Sequence, residues 1–265
     1  MLAYNVRTYN YLDGQQIRVY KNLIVKHPED WVMTMEQVKE QKAKQKEKKE
    51  TENKGVKDEE RSNKVSQNRT IQKIYEITRS NMWDYFITLT FNPELVDSFN
   101  YEEVTQKLSD WLHNLKKRYA PDLRYIIVPE LHKSGRYHFH GMLANCGNMN
   151  FIDSGKVTAS GDPIYNIGNY NLGFTTATRV KDNQRVSAYI TKYITKELCA
   201  STTGKKRYWA SRNLDKAVIE EYVLKKSEID DMIDSLTENI DYAKTLDVPV
   251  LDQKVRIYEV KDYVL

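Results

Sequence analysis

Cysteine is almost missing from this chain: its 265 residues include two, Cys146 and Cys199. They show no paired spacing, which excludes a disulfide framework and a cysteine zinc site. Long apolar runs are missing as well. No stretch approaches membrane-spanning length, and Met1 to Asp13 lacks an apolar signal core. A reducing, cytoplasmic setting without a membrane partner is therefore expected. The only Gly-Lys pairs, Gly155-Lys156 and Gly204-Lys205, lack the phosphate-loop pattern around them, which excludes an attached ATP-driven motor. No period of 20–50 residues recurs. Nor does one sign of charge dominate. A formal net charge of +4 permits a nucleic-acid partner without demanding one.

Hydrophobic content of 40% and charged content of 29% are those of an ordinary soluble globular chain. Residues 1–35 carry strand-like pieces, Gln16 to Tyr20 and Asn22 to Val25, and a Pro28-Glu29-Asp30 turn. Residues 36–70 are densely charged, with eight Lys or Arg and six Asp or Glu within Gln41–Arg61. Such a segment buries no face and reads as a solvated helix or a linker. Residues 71–212 form the expected main domain, and residues 213–265 a helical and strand extension closing with Val255 to Val260.

Within the main domain, Ile71 to Ser80 reads as a helix. Tyr85 to Phe91 is a β-rich run stopped by Asn92-Pro93, with Tyr85, Ile87, Leu89 and Phe91 on one face. Thr88 and Thr90 fall on the other face, with no role beyond packing. Asn100 caps a helix whose apolar positions Val104, Leu108, Trp111, Leu112, Leu115 and Tyr119 follow the helical period. Gly147 to Asn171 is a loop-like excursion with short strands, Gly173 to Val180 a strand and Asp182 to Leu198 a helix. This order has few long crossovers, so the fold class is α+β: an antiparallel sheet with flanking helices.

The chain has five histidines, and two of them, His138 and His140, lie two residues apart in a strand-like run. That spacing puts both imidazoles on one sheet face. Arg124 to Leu131 reads as the preceding strand and Lys133-Ser134-Gly135 as a tight hairpin loop, which sets Glu130 opposite His138. One carboxylate and two imidazoles then converge as a three-ligand metal site with room for a substrate oxygen. His132 could share that face, although a loop-edge histidine is more often solvated.

The Asp182–Leu198 helix carries Tyr-Ile-Thr-Lys twice. At about 100° per residue, Tyr189, Lys192, Tyr193 and Lys196 share one arc. Val186, Ile190, Ile194 and Leu198 form a neighbouring apolar arc that docks on the sheet. A phenol is a poor nucleophile at neutral pH unless its electrophile is polarised and a cation steadies the developing charge. Phosphodiester transfer suits this set, with a tyrosine attacking phosphorus beside a lysine.

These three motifs together resemble the HUH endonucleases, in particular the rolling-circle replication initiators of small plasmids and single-stranded DNA phages. Phe86-Ile87-Thr88-Leu89-Thr90-Phe91 resembles the first motif. His138-Phe139-His140 resembles the second, with Glu130 in the place of the upstream carboxylate. Tyr189-Ile190-Thr191-Lys192-Tyr193 resembles the third in its two-tyrosine form. The likeness covers roughly Trp83 to Leu198. It implies a relaxase-like sheet domain in a bacterial host that nicks and rejoins single-stranded origin DNA through a 5′-phosphotyrosine. It also implies Mg²⁺ or Mn²⁺ as cofactor, a host DNA polymerase extending the free 3′-hydroxyl, and a partner helicase for unwinding. Each tyrosine begins its own Tyr-x-x-Lys, so Tyr193 could also act alone with Tyr189 structural.

Beyond the motifs, Lys205, Lys206, Arg207, Tyr208, Trp209 and Arg212 interleave cations with aromatics, as a single-strand-binding surface does. An ordinary basic loop beside a core tryptophan has the same composition. Two other functions fit parts of the pattern. A two-histidine, one-carboxylate iron or zinc hydrolase site would use the same ligands, but iron sites of that kind usually spread their histidines over distant strands. A non-catalytic RNA-recognition-like sheet would bind single strands through exposed aromatics.

Overall fold

Twelve strands and five α-helices follow one another along the chain in a computed structural model that describes residues 3–26, 55–248 and 252–261. The Pro28-Glu29-Asp30 turn and residues 36–54 of the charged segment lie outside the described residues. In chain order come β1 (Ala3–Tyr11), β2 (Gly14–Val25), α1 (Gly55–Arg79), β3 (Tyr85–Phe91) and α2 (Tyr101–Arg118). Then come β4 (Arg124–Leu131), β5 (Tyr137–Ala144), β6 (Phe151–Val157), β7 (Pro163–Ile167) and β8 (Gly173–Arg179). Helices α3 (Asn183–Ile190) and α4 (Lys196–Ser201) flank a 3-10 turn, Thr191–Tyr193, and β9 (Trp209–Ala210) follows. Last are β10 (Val218–Tyr222), α5 (Lys226–Ser235), β11 (Ile240–Val248) and β12 (Gln253–Lys261).

The chain divides into two units, one of residues 63–217 and one built from both ends, residues 1–62 and 218–265. Residues 63–217 hold a seven-stranded sheet of order β6-β7-β8-β3-β5-β4-β9, in which every pairing is antiparallel. Strand β3 runs near its middle with alternating burial, as its β-branched and aromatic residues dictate. Asn100 caps α2 by accepting from the Glu103 amide at 3.2 Å. The helix then buries Val104, Leu108, Trp111, Leu112 and Leu115 in one core with Leu89, Phe91 and Phe139. Burying each of these side chains contributes about 1.5–3 kcal/mol. This layer covers the sheet face opposite the histidines. Gly173 lets β8 close on β3, because a Cβ there would fall 2.2 Å from the Thr90 carbonyl oxygen.

The unit built from the chain ends is a five-stranded sheet of order β10-β1-β2-β12-β11. Val6, Ile17, Val19 and Val260 form its core with Ile229 of α5. Sequence reading placed two short strand pieces and acidic helices here. The structure joins the former into β2 and adds β1, β10 and β11. Strands β10 and β1 pair across nearly the whole chain, Val6 opposite Tyr222, so their partners lie beyond any local pattern.

The helix expected over Asp182–Leu198 is broken in two. Asp182 caps α3 by accepting from the Arg185 amide at 2.9 Å. The helix then meets Thr191, whose hydroxyl donates to the Ala188 carbonyl at 2.7 Å. Ile194 leaves helical geometry, and Thr195 caps α4 by accepting from the Leu198 amide at 3.1 Å. β-Branched residues are weak helix formers, and threonine satisfies a helix start better than a helix middle. The apolar arc nevertheless docks as expected, with Ile190, Ile194 and Leu198 buried in the core.

Candidate active site

The β4–β5 hairpin builds the first half of the site. His132 N–H donates to the Arg136 carbonyl at 2.9 Å, and Gly135 takes a positive φ of 84°. That tight turn sets the register, and Glu130 stands opposite His138. His138 and His140 project from one face of β5, while Tyr137 and Phe139 enter the core on the other. Phe139 is wedged edge-on against Phe91 and Trp209 at 5.9 and 5.6 Å.

Strand β3 supplies partners that sequence reading missed. Oγ1 of Thr88 lies 3.1 Å from Nδ1 of His140, and Oγ1 of Thr90 lies 3.2 Å from Nδ1 of His138. The hydroxyls anchor the rings by Nδ1, so each Nε2 points away from β3. Oε2 of Glu130 meets Nε2 of His140 at 2.7 Å. Burial lowers the pKa of both histidines, opposed in each case by Glu130. The alternation of β3 does put Thr88 and Thr90 on one face. The missing information was that β3 pairs with β5.

Segment α3–turn–α4 brings the tyrosines over this face. The Tyr193 ring lies flat on His140, centroids 3.6 Å apart and planes within 5°. Tyr189 stands edge-on to Tyr193 and to Phe86, at 5.8 and 5.5 Å. The Tyr193 hydroxyl donates to the Tyr189 hydroxyl at 3.3 Å. Nζ of Lys192 lies 3.3 Å from the Tyr189 ring centre and 5.1 Å from that of Tyr193. The two phenols differ sharply. Tyr193 is buried, and burial, with its bond to Tyr189, pushes its pKa up. Tyr189 is 45% exposed. Lys192 and the Tyr193 hydroxyl hold its pKa below that of an ordinary phenol. Lys196 opens α4, beyond the break, so three of the four residues of the expected arc share one cluster.

One carboxylate and two Nδ1-anchored imidazoles are a donor set that suits a hard or borderline divalent cation. In the arrangement described, Glu130 closes directly on His140. Among the described residues no three His, Cys, Asp or Glu side chains are gathered as a metal-holding group. His132 sits beside His138, ring centres 5.4 Å apart, with its own Nδ1 turned to Ser134.

Residues 84–198 match the family model of the replication-associated protein ORF2. The matched stretch runs from the start of β3 through the hairpin to α4 and contains every residue of the cluster just described. The likeness supports a replication initiator of the Rep kind that acts on DNA. No curated protein and no solved structure is similar enough to match the chain. Among the described residues, no helix is long and apolar enough to cross a membrane.

The basic, aromatic stretch 205–212 is largely tied into the fold. Arg207 is buried and donates to Thr202, Ser66 and the Cys199 carbonyl. Trp209 is buried on β9, Lys205 pairs with Glu102 at 2.5 Å, and Tyr208 packs against the core. Lys206 is exposed, with its ammonium 5.3 Å from the Trp209 ring, and Arg212 is exposed.

Proposed function

We propose that residues 63–217 nick and rejoin single-stranded origin DNA by tyrosine transesterification, as a rolling-circle initiator does. The observation that carries this reading is the stack of Tyr193 on His140, with Tyr189, Lys192 and Glu130 within the same cluster. Two phenols, an ammonium and a His/His/carboxylate donor set suit phosphoryl transfer and have no common use in a binding module. Glu130, His138 and His140 would hold Mg²⁺ or Mn²⁺, whose charge would polarise a non-bridging phosphate oxygen.

The chain's own groups divide the work. Tyr189 attacks first, because it is exposed, sits beside the Lys192 ammonium and accepts the hydrogen bond from Tyr193. Its oxygen bonds to phosphorus while the bond from phosphorus to the 3′ oxygen breaks. The phenolic proton leaves to solvent, and the departing 3′ oxygen takes one up. Lys192 offsets the negative charge that builds on the phosphoryl oxygens. A 5′-phosphotyrosine and a free 3′-hydroxyl result. Tyr193 is held flat and ready for the second transfer, when Tyr189 already carries DNA. Lys205, Lys206, Tyr208 and Arg212 contribute at most a peripheral contact, since Arg207 and Trp209 are committed to the interior.

The test is a covalent adduct. Incubated with Mn²⁺ and single-stranded fragments tiling the DNA that carries the gene, the protein should migrate with bound DNA on a denaturing gel. Tyr189→Phe should abolish the first adduct, and Tyr193→Phe should spare it while blocking rejoining. Adduct formation by the Tyr189→Phe, Tyr193→Phe double variant would sink the assignment. DNA binding without cleavage at any metal concentration would point to a non-catalytic module instead.

A further inference from the structure

We propose that the outer strands β8, β7 and β6 carry the unpaired DNA into the site, with Phe174 stacking on a base beside the cleaved phosphate. This rests on the nicking reading above and adds where the strand lies. Phe174 pairs with Thr90, Thr90 touches His138, and His138 pairs with Glu130. The four residues thus form one row across β8, β3, β5 and β4 on a single sheet face. At about 4.8 Å between strands, the Phe174 backbone lies on the order of 10 Å from that of His138. The Phe174 side chain is 55% exposed, although both neighbours on β8, Gly173 and Thr175, are committed to close strand packing.

The same face continues outward. Tyr165 pairs with Ala177 on the core side, so Asn166, the next residue of β7, turns to the site side. Asn166 pairs with Ile152, which is 48% exposed. Two residues away on β7, Ile164 pairs with the exposed Lys156. An aromatic, an aliphatic and a cation therefore extend from the ligand row toward the sheet edge. An exposed aromatic offers a platform for the π-face of any unpaired base, and a lysine beside it meets the sugar-phosphate backbone. Double-stranded DNA has no free base face to place there. The residues of segment 205–212 that would make such a surface are mostly buried, which leaves this strip as the better-placed track.

Phe174 is exposed, so replacing it leaves the core intact. The experiment uses the full chain in chelator, where no cleavage occurs, and fluorescein-labelled single-stranded oligonucleotides carrying 2-aminopurine at successive positions. Phe174→Ala should weaken binding by about 5- to 140-fold, the range of one lost base stack. Phe174→Trp should bind like the unaltered chain and quench 2-aminopurine at one position only, next to the nick found with Mn²⁺. Phe174→Leu should bind as poorly as the alanine variant, since it keeps apolar area and loses the ring. Equal affinity of Phe174→Ala and the unaltered chain would overturn the proposal. So would rescue by leucine, or a change of oligomeric state as the sole effect of the alanine variant. Adduct formation with no effect of Phe174 defeats this inference alone. Phe174-dependent binding without any adduct defeats the nicking reading alone, and no binding by the unaltered chain defeats both.

Discussion

Replacing Thr88 by valine removes one hydroxyl and keeps the β-branched shape that the strand favours. The lost oxygen lies 3.1 Å from Nδ1 of His140, whose residue is 7% exposed. Water has little access there, so a ring nitrogen is left unpaired at a cost of about 1–3 kcal/mol. The stack on Tyr193 at 3.6 Å still fixes the plane of the ring. It does not fix the tautomer. With Glu130 on Nε2, the Thr88 hydroxyl donates to Nδ1. With Nε2 given to a cation, the same hydroxyl accepts from Nδ1–H. A hydroxyl serves both states, and valine serves neither. Losing such an outer partner weakens metal binding by about 10–100-fold. The equivalent change on the neighbouring strand position, Thr90→Val, acts on His138, which is half-buried. Solvent replaces that hydroxyl, so the loss should be no more than a few-fold. Calorimetric titration of Mn²⁺ into each variant, with folding checked by circular dichroism, measures the difference, and Thr88→Ser should behave like the unaltered chain. Equal Mn²⁺ affinity in Thr88→Val and the unaltered chain, or a larger loss in Thr90→Val, would refute the reasoning.

Lys192→Gln removes the cation that favours the Tyr189 phenolate, so the alkaline rise of the nicking rate should move to higher pH, as a pH series on both proteins would record. Burial lowers the pKa of His138 and His140, so as pH falls below about 6.5 the unfolded chain binds protons that the folded chain refuses. Metal-free protein should therefore melt at a lower temperature at about pH 5.5 than at about pH 7.5, and the His138→Gln, His140→Gln variant should show a flatter dependence. Phe139→Ala empties a fully buried position between the two histidines. It should cost about 3–5 kcal/mol in urea unfolding and loosen both rings at once. A loss below about 1 kcal/mol would mean that the core collapses into the space.

Legibility in the sequence tracked the distance between interacting residues. Strand β3 and the cap at Asn100 were readable because alternation and capping are local. Glu130 opposite His138 was readable too, since a tight hairpin turn fixes register over a few residues. The helix break at Ile194 was locally encoded as well, in two threonines and two isoleucines. There the tandem repeat suggested continuity, while Thr195 was serving as a cap. Thr88 and Thr90 could not be read as histidine partners. Their pairing with β5 spans the whole of α2 and β4, and local sequence does not state which strands meet. The exposure of Phe174 and the burial of Arg207 were hidden for the same reason.

By itself, then, the chain determined which chemical groups were available and which faces they would occupy. A two-residue spacing on a strand and a four-residue spacing near a helix end follow from backbone geometry alone. Tertiary structure decided which of those groups meet. It laid Tyr193 on His140, left Tyr189 in solvent beside Lys192, and sent Lys196 into the next helix. It also turned most of segment 205–212 inward and Phe174 outward. Such choices depend on how sheets and helices share one core, and that is settled by packing over the whole unit rather than by any local pattern.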